Sequence, residues 1–145
     1  ANRTGKIFNG DFSGQILNKA LVSKEFLPSN IYTYPYITNA VKCFPPENKP
    51  LASEINNCNE YLKYELESLS NLKVIIALGS VAHNSILKVY KKNLSKHKFL
   101  HGATHKINKN LTLIDSYHCS KINVYTRRLS VSMLEDILEL AKSYR

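Results

Sequence analysis

The chain alternates between stretches whose apolar residues recur at helical spacing and short, unbroken apolar runs. After Ser13, a candidate helix cap, Ile16, Leu17, Ala20 and Leu21 fall on one face and predict a first helix. Pro28 and Ser29-Asn30 mark a connection, and Tyr34 to Val41 is a β-prone run. The prolines of Phe44-Pro45-Pro46-Glu47-Asn48-Lys49-Pro50 remove backbone donors, which predicts a stiff, exposed loop. Ser53 starts a helix in which Ile55, Cys58, Leu62, Leu66 and Leu69 share a face. Lys73 to Gly79 is apolar without interruption, the pattern of a strand covered on both faces, and is expected to be the central strand. Gly79-Ser80 then turns the chain into a helix over 81–90. Leu111-Thr112-Leu113-Ile114 predicts a further strand, and Ser132-Met133-Leu134-Glu135 has the form of a capping box opening a last helix buried through Leu134, Ile137, Leu138 and Ala141.

Strands and helices in alternation predict an α/β fold, a three-layer α/β/α sandwich with a mostly parallel central sheet. Such sheets bind ligands at the carboxyl ends of their strands. That edge should gather Asn39, Gly79 and His118, with Asp11 joining them if the opening loop folds over it. Each residue has a plainer reading as well. Asp11 serves equally as a turn or capping residue; Asn39, a polar amide in a strand-like run, is either a structural bridge or a ligand group; and a glycine such as Gly79 occurs in strand-to-helix turns with no ligand nearby.

Charge narrows the class of partner. The 145 residues suffice for a single domain, 1–145, and carry 20 Lys+Arg against 11 Asp+Glu, a formal charge of +9. This favours a polyanion, although a basic, solvated surface gives the same count. Lys91-Lys92-Asn93-Leu94-Ser95-Lys96-His97-Lys98 is the densest basic segment, either a solvated loop or a DNA contact. No apolar run is long enough to span a bilayer and no signal-peptide core is present, so a cytoplasmic monomer without membrane contact is expected. His83, His97, His101 and His105 show no metal-ligand spacing with one another. Cys43, Cys58 and Cys119 are an odd number of thiols with no disulfide framework.

The segment Ile114-Asp115-Ser116-Tyr117-His118-Cys119-Ser120, followed by Lys121-Ile122-Asn123-Val124-Tyr125-Thr126-Arg127-Arg128, holds most of the candidate chemistry. A tyrosine and a histidine at a strand end, then hydroxyls, an amide, a second tyrosine and three cations, suit a planar hydrogen-bonding ligand carried on a phosphate backbone. Nucleic acid with chemistry on a base is the expectation.

In order along the chain, Ala1-Asn2-Arg3-Thr4-Gly5-Lys6-Ile7-Phe8-Asn9-Gly10-Asp11, Ile37-Thr38-Asn39-Ala40-Val41-Lys42-Cys43-Phe44-Pro45-Pro46-Glu47-Asn48-Lys49-Pro50, Cys58, Val74 to Gly79 and Ser116-Tyr117-His118-Cys119-Ser120 resemble the uracil-DNA glycosylases of family 5, the iron–sulfur B type. The resemblance implies excision of a flipped uracil from DNA by hydrolysis of its glycosidic bond. It implies that Asp11 orients or activates the water, that Phe8 stacks on the base, that Asn39 hydrogen-bonds the base edge beside Gly79, and that His118 stabilises the departing uracil. Ser120, Lys121, Asn123, Thr126, Arg127 and Arg128 would belong to the loop that enters the DNA groove. Cys43 and Cys58 match the last two of four ligands of a [4Fe–4S] cluster. The first two ligands and the preceding strand are expected upstream, so that this chain alone does not assemble the cluster.

The family's loop usually reads Asn-Thr-x-Thr-Gly-Arg-Leu-Thr. Here Val124 lacks the hydroxyl and Arg127 replaces the glycine, so a positive φ at that position would be costly. Alternatives to uracil excision are a non-catalytic basic nucleic-acid-binding domain, an inactive truncated remnant of such an enzyme, or a relative that prefers another deaminated or modified base.

Overall fold

A computed structural model describes residues 7, 8, 10–26, 35–42 and 51–144. Its sheet comprises β1 (Val74–Leu78), β2 (Thr104–Lys106) and β3 (Thr112–Ser116), in the order β1-β3-β2. β1 and β3 run parallel, with Val74 opposite Thr112 and Leu78 opposite Ser116, whereas β2 is antiparallel to β3. The described sheet is therefore mixed rather than mostly parallel. The central position expected for Lys73 to Gly79 is also corrected, since among the described strands β3 lies in the middle. Apolar content misled here because β3 buries two polar residues, Asp115 and Ser116, alongside Leu113 and Ile114.

Helices cover both faces of the sheet. On one side α1 (Phe12–Ser23) and α5 (Val131–Lys142) interlock through Leu17, Leu21, Leu134 and Leu138, with Ile76 and Leu78 of β1 against them. On the other, α2 (Ala52–Ser68) and α3 (Ser80–Val89) bring Leu62, Leu66, Ile86 and Leu87 onto Ala77 and Leu113. Each fully buried leucine contributes about 1.5–3 kcal/mol, enough in aggregate to make this layering the decisive term. The expected three-layer α/β/α arrangement is the one observed.

Local details depart from expectation in physically readable ways. Asp11, not Ser13, caps α1: its backbone is extended and its carboxylate accepts from the Gly14 amide at 2.7 Å. Ser130 rather than Ser132 caps α5, accepting from the Met133 amide at 3.1 Å. Of the β-prone run from Tyr34, the described part forms no strand. Side chains hold it instead, with Thr38 donating to Glu65 at 2.9 Å, Tyr36 donating to the same carboxylate at 3.3 Å, and Lys42 paired with it. Burial alone would raise the Glu65 pKa, but these donors outweigh it and hold the carboxyl below its usual value. Strand propensity is overridden because α2 offers a better set of partners than a neighbouring strand. The Pro28 connection and the proline-rich loop from Phe44 lie outside the described residues.

Candidate active site

Because Leu78 and Ser116 are register partners, β1 and β3 end side by side and release Gly79 and His118 at the same edge. Gly79 has φ 94 and ψ 162, a region that is essentially glycine-only, and its amide donates to the Ser116 carbonyl at 2.8 Å. A Cβ at this position would stand 3.3 Å from the Cβ of His118. The glycine thus lets the turn into α3 pass close to the imidazole.

The His118 ring is half-buried, and burial lowers its pKa, with the negative charge of Asp11 pulling in the opposite direction. The segment before α1 supplies the other side of the site. Phe8 adopts a left-handed conformation, φ 51, and its ring centroid lies 6.2 Å from that of His118. Gly14 in the first turn of α1 makes this possible, since a Cβ there would be only 2.1 Å from the Phe8 carbonyl oxygen. The structure therefore assembles Phe8, Asp11, Gly79 and His118. Asp11 meets its plainer reading too, because the carboxylate is a helix cap; one oxygen is engaged by the Gly14 amide.

Asn39 is half-buried between Ile37, which packs on the α1/α5 core, and Ala40, which packs on the α2/α3 core. Among the described residues it makes no hydrogen bond to the other four. The candidate DNA-binding residues cluster around a short helix, α4 (Lys121–Tyr125), preceded by Ser120 as N-cap. Asn123 donates to the His118 carbonyl at 2.8 Å, and Thr126 donates to the Ile122 carbonyl at 2.8 Å. Arg127 adopts φ 58, the left-handed conformation expected to be costly for a residue other than glycine. Arg128 places its guanidinium 4.5 Å from the Tyr117 ring centroid, and His101 stacks on the same ring at 4.9 Å. Lys121 lies over the Tyr125 ring at 5.6 Å.

Two residues of this segment were not named as DNA contacts from the sequence. Ile122 and Tyr125, about 70% exposed, project from α4 among the cations. Apolar side chains interleaved with Lys121, Arg127 and Arg128 were the available signal. A further omission is the buried cluster of His83, His105 and Asp115, whose ligand atoms lie within 4.8 Å of one another. Histidine spacing could not reveal it, since its members come from α3, β2 and β3.

The cysteines do not complete a [4Fe–4S] donor set. Cys58 is buried on α2, and its sulfur accepts from the Lys42 amide at 3.3 Å, which brings the backbone next to position 43 against it. Cys43 itself is outside the described residues. Cys119 belongs to the separate α1/α5 core, where burial pushes its thiol pKa up to about 11. The chain's own residues therefore supply at most two of the four thiolates such a cluster needs.

An imidazole, a carboxylate and an aromatic ring meet at the carboxyl edge of the strands of this α/β sandwich, the edge at which such sheets bind ligands. The chain belongs to the uracil DNA glycosylase superfamily, whose sequence model matches residues 1–142. It is similar to the type-5 uracil-DNA glycosylase of Thermus thermophilus, 38% identical over 98% of this chain and 68% of the relative. The type-5 enzyme of Pyrobaculum aerophilum is likewise 38% identical, over 97% of this chain and 64% of its own length. A type-4 uracil-DNA glycosylase of Archaeoglobus fulgidus is 28% identical over 73% of this chain. The chain spans about two thirds of the length of the two type-5 relatives. No described helix is long and apolar enough to cross a membrane.

Proposed function

We propose that this chain carries the excision centre of a uracil-DNA glycosylase acting by hydrolysis of the N-glycosidic bond. The observation that carries the proposal is the convergence of Phe8, Asp11 and His118 at the edge where Gly79 permits close approach. Phe8 offers a face on which a flipped base stacks. Asp11 uses one oxygen as helix cap and leaves the other to orient water and to oppose positive charge on the sugar. His118, anchored by Asn123, donates to the uracil oxygen on which negative charge develops as the bond lengthens. Asn39 reads the base edge. Lys121, Arg127 and Arg128, with Ser120 and Thr126, hold phosphates around the α4 tip, while Ile122 or Tyr125 fills the vacated stack. Cys43 and Cys58 are assigned as two ligands of an iron–sulfur cluster that is structural for the whole protein, which we expect to be a monomer.

The test is excision from a duplex carrying one uracil, read as alkali-induced strand cleavage, with Asp11→Asn beside the unmodified chain. Asparagine caps helices as well as aspartate does, so this change removes the charge and spares the cap. Loss of cleavage with unchanged melting and DNA affinity is expected. Undiminished cleavage by Asp11→Asn would refute the assignment.

A further inference from the structure

We propose that His83 Nδ1, His105 Nε2 and the Asp115 carboxylate form a binding site for a divalent transition-metal ion of the zinc class, separate from the excision site and from the cysteines. The three groups come from three elements and meet in the interior. Asp115 is fully buried, His83 is 1% exposed, and the ligand atoms all lie within 4.8 Å of one another. Asp115 Oδ1 is 2.7 Å from His83 Nδ1, and Oδ2 is 2.8 Å from His105 Nε2. Two imidazoles and a carboxylate are a donor set suited to zinc.

The second observation is the surroundings of the donors. His83 Nε2 faces the His97 carbonyl at 2.8 Å, the orienting bond that metal-ligating histidines make through their other ring nitrogen. The Leu100 amide donates to Asp115 Oδ2 at 3.3 Å and steadies the carboxylate. His97 lies beside the cluster, its ring 5.7 Å from that of His105 and its Nδ1 facing the Asn93 carbonyl at 2.8 Å. His97 and His105 are only partly buried.

A bound ion would take the place of the two contacts that Asp115 makes to His83 and His105, while His83 keeps its contact to the His97 carbonyl. The nitrogen–oxygen separations must widen to about 3.3 Å to accommodate metal bonds of about 2.0–2.2 Å, a shift of roughly 0.5 Å. The ion would pin α3, β2 and β3 together just before Ser116-Tyr117-His118.

The experiment is calorimetric titration of the chain with Zn2+, accompanied by Co2+ absorption spectra. A Cys43→Ser/Cys58→Ser background removes competing thiolates. Binding of one Zn2+ per chain in that background is expected, with a tetrahedral Co2+ spectrum. His105→Gln and the isosteric Asp115→Asn should each weaken binding about tenfold or more, on the scale of lost metal-site interactions, with an unchanged far-ultraviolet circular dichroism spectrum. His101→Gln, outside the cluster, should bind normally. Failure of the Cys43→Ser/Cys58→Ser chain to bind Zn2+, or equal binding by folded His105→Gln or Asp115→Asn, would overturn the proposal.

Discussion

Gly14→Ala isolates the contribution of the Phe8 wall. In the structure a Cβ at position 14 would lie 2.1 Å from the Phe8 carbonyl oxygen, 2.5 Å from its carbonyl carbon and 2.8 Å from Asp11 Oδ1. Contacts under 3.0 Å are essentially never tolerated, so the Phe8 backbone must retreat by roughly 1 Å, carrying its ring away from His118. Two effects on stability oppose each other. Alanine gains about 1 kcal/mol of helix propensity over glycine, whereas disturbing the Asp11 cap costs about 1 kcal/mol. The melting temperature should therefore change little. Catalysis has no such compensation, and a misplacement of about 1 Å at a reacting site lowers rates on the order of a hundredfold. Single-turnover uracil excision and thermal melting, measured on the same preparations, decide the matter. A Gly14→Ala protein that melts normally and excises at the unmodified rate would show that Phe8 does not shape the site.

Gly79→Ala should act on stability and catalysis together: forcing alanine into φ 94, ψ 162 costs about 1–3 kcal/mol, and its Cβ presses on His118, so unchanged denaturant midpoint and rate would refute the close-approach reading. His118 and His101 both have pKa values lowered chiefly by burial, against the opposing pull of Asp11 and Asp136 respectively. The folded chain thus binds fewer protons than the unfolded one, and their contribution, complete above pH 6.5, is lost as pH falls through the lowered values. Urea midpoints should drop between pH 7 and pH 5, less steeply for His101→Gln; a slope unaffected by that substitution would exclude His101 as a source.

The layers were legible because apolar periodicity reports burial, and burial decides which face of each helix meets the sheet. Leu62, Leu66, Leu134, Ile137 and Leu138 occupy the interior as their spacing requires. Strand order was not legible, because β3 hides Asp115 and Ser116, and polar residues are normally read as surface. The edge of the sheet where Gly79 and His118 meet followed from where two apolar runs stop; Asp11 was placed there only on condition that the opening loop folds over it, and Phe8 only from resemblance. Their seating depends on Gly14, whose missing side chain carries no sequence signature of a contact. Arg127 shows the converse: its left-handed backbone was inferable because family members usually place glycine there.

The two walls of the site are unequally anchored. His118 follows β3, which is paired on both sides, with Gly79 and Asn123 adding backbone restraints. Phe8 and Asp11 hang from the first turn of α1. In amide exchange the β3 protons should be among the slowest, persisting to near-global unfolding, while those before Gly14 exchange by small local openings. The crevice can then gape and reclose by moving one lip while the imidazole stays fixed, so admission of a bulky base need not disturb the core that positions the chemistry.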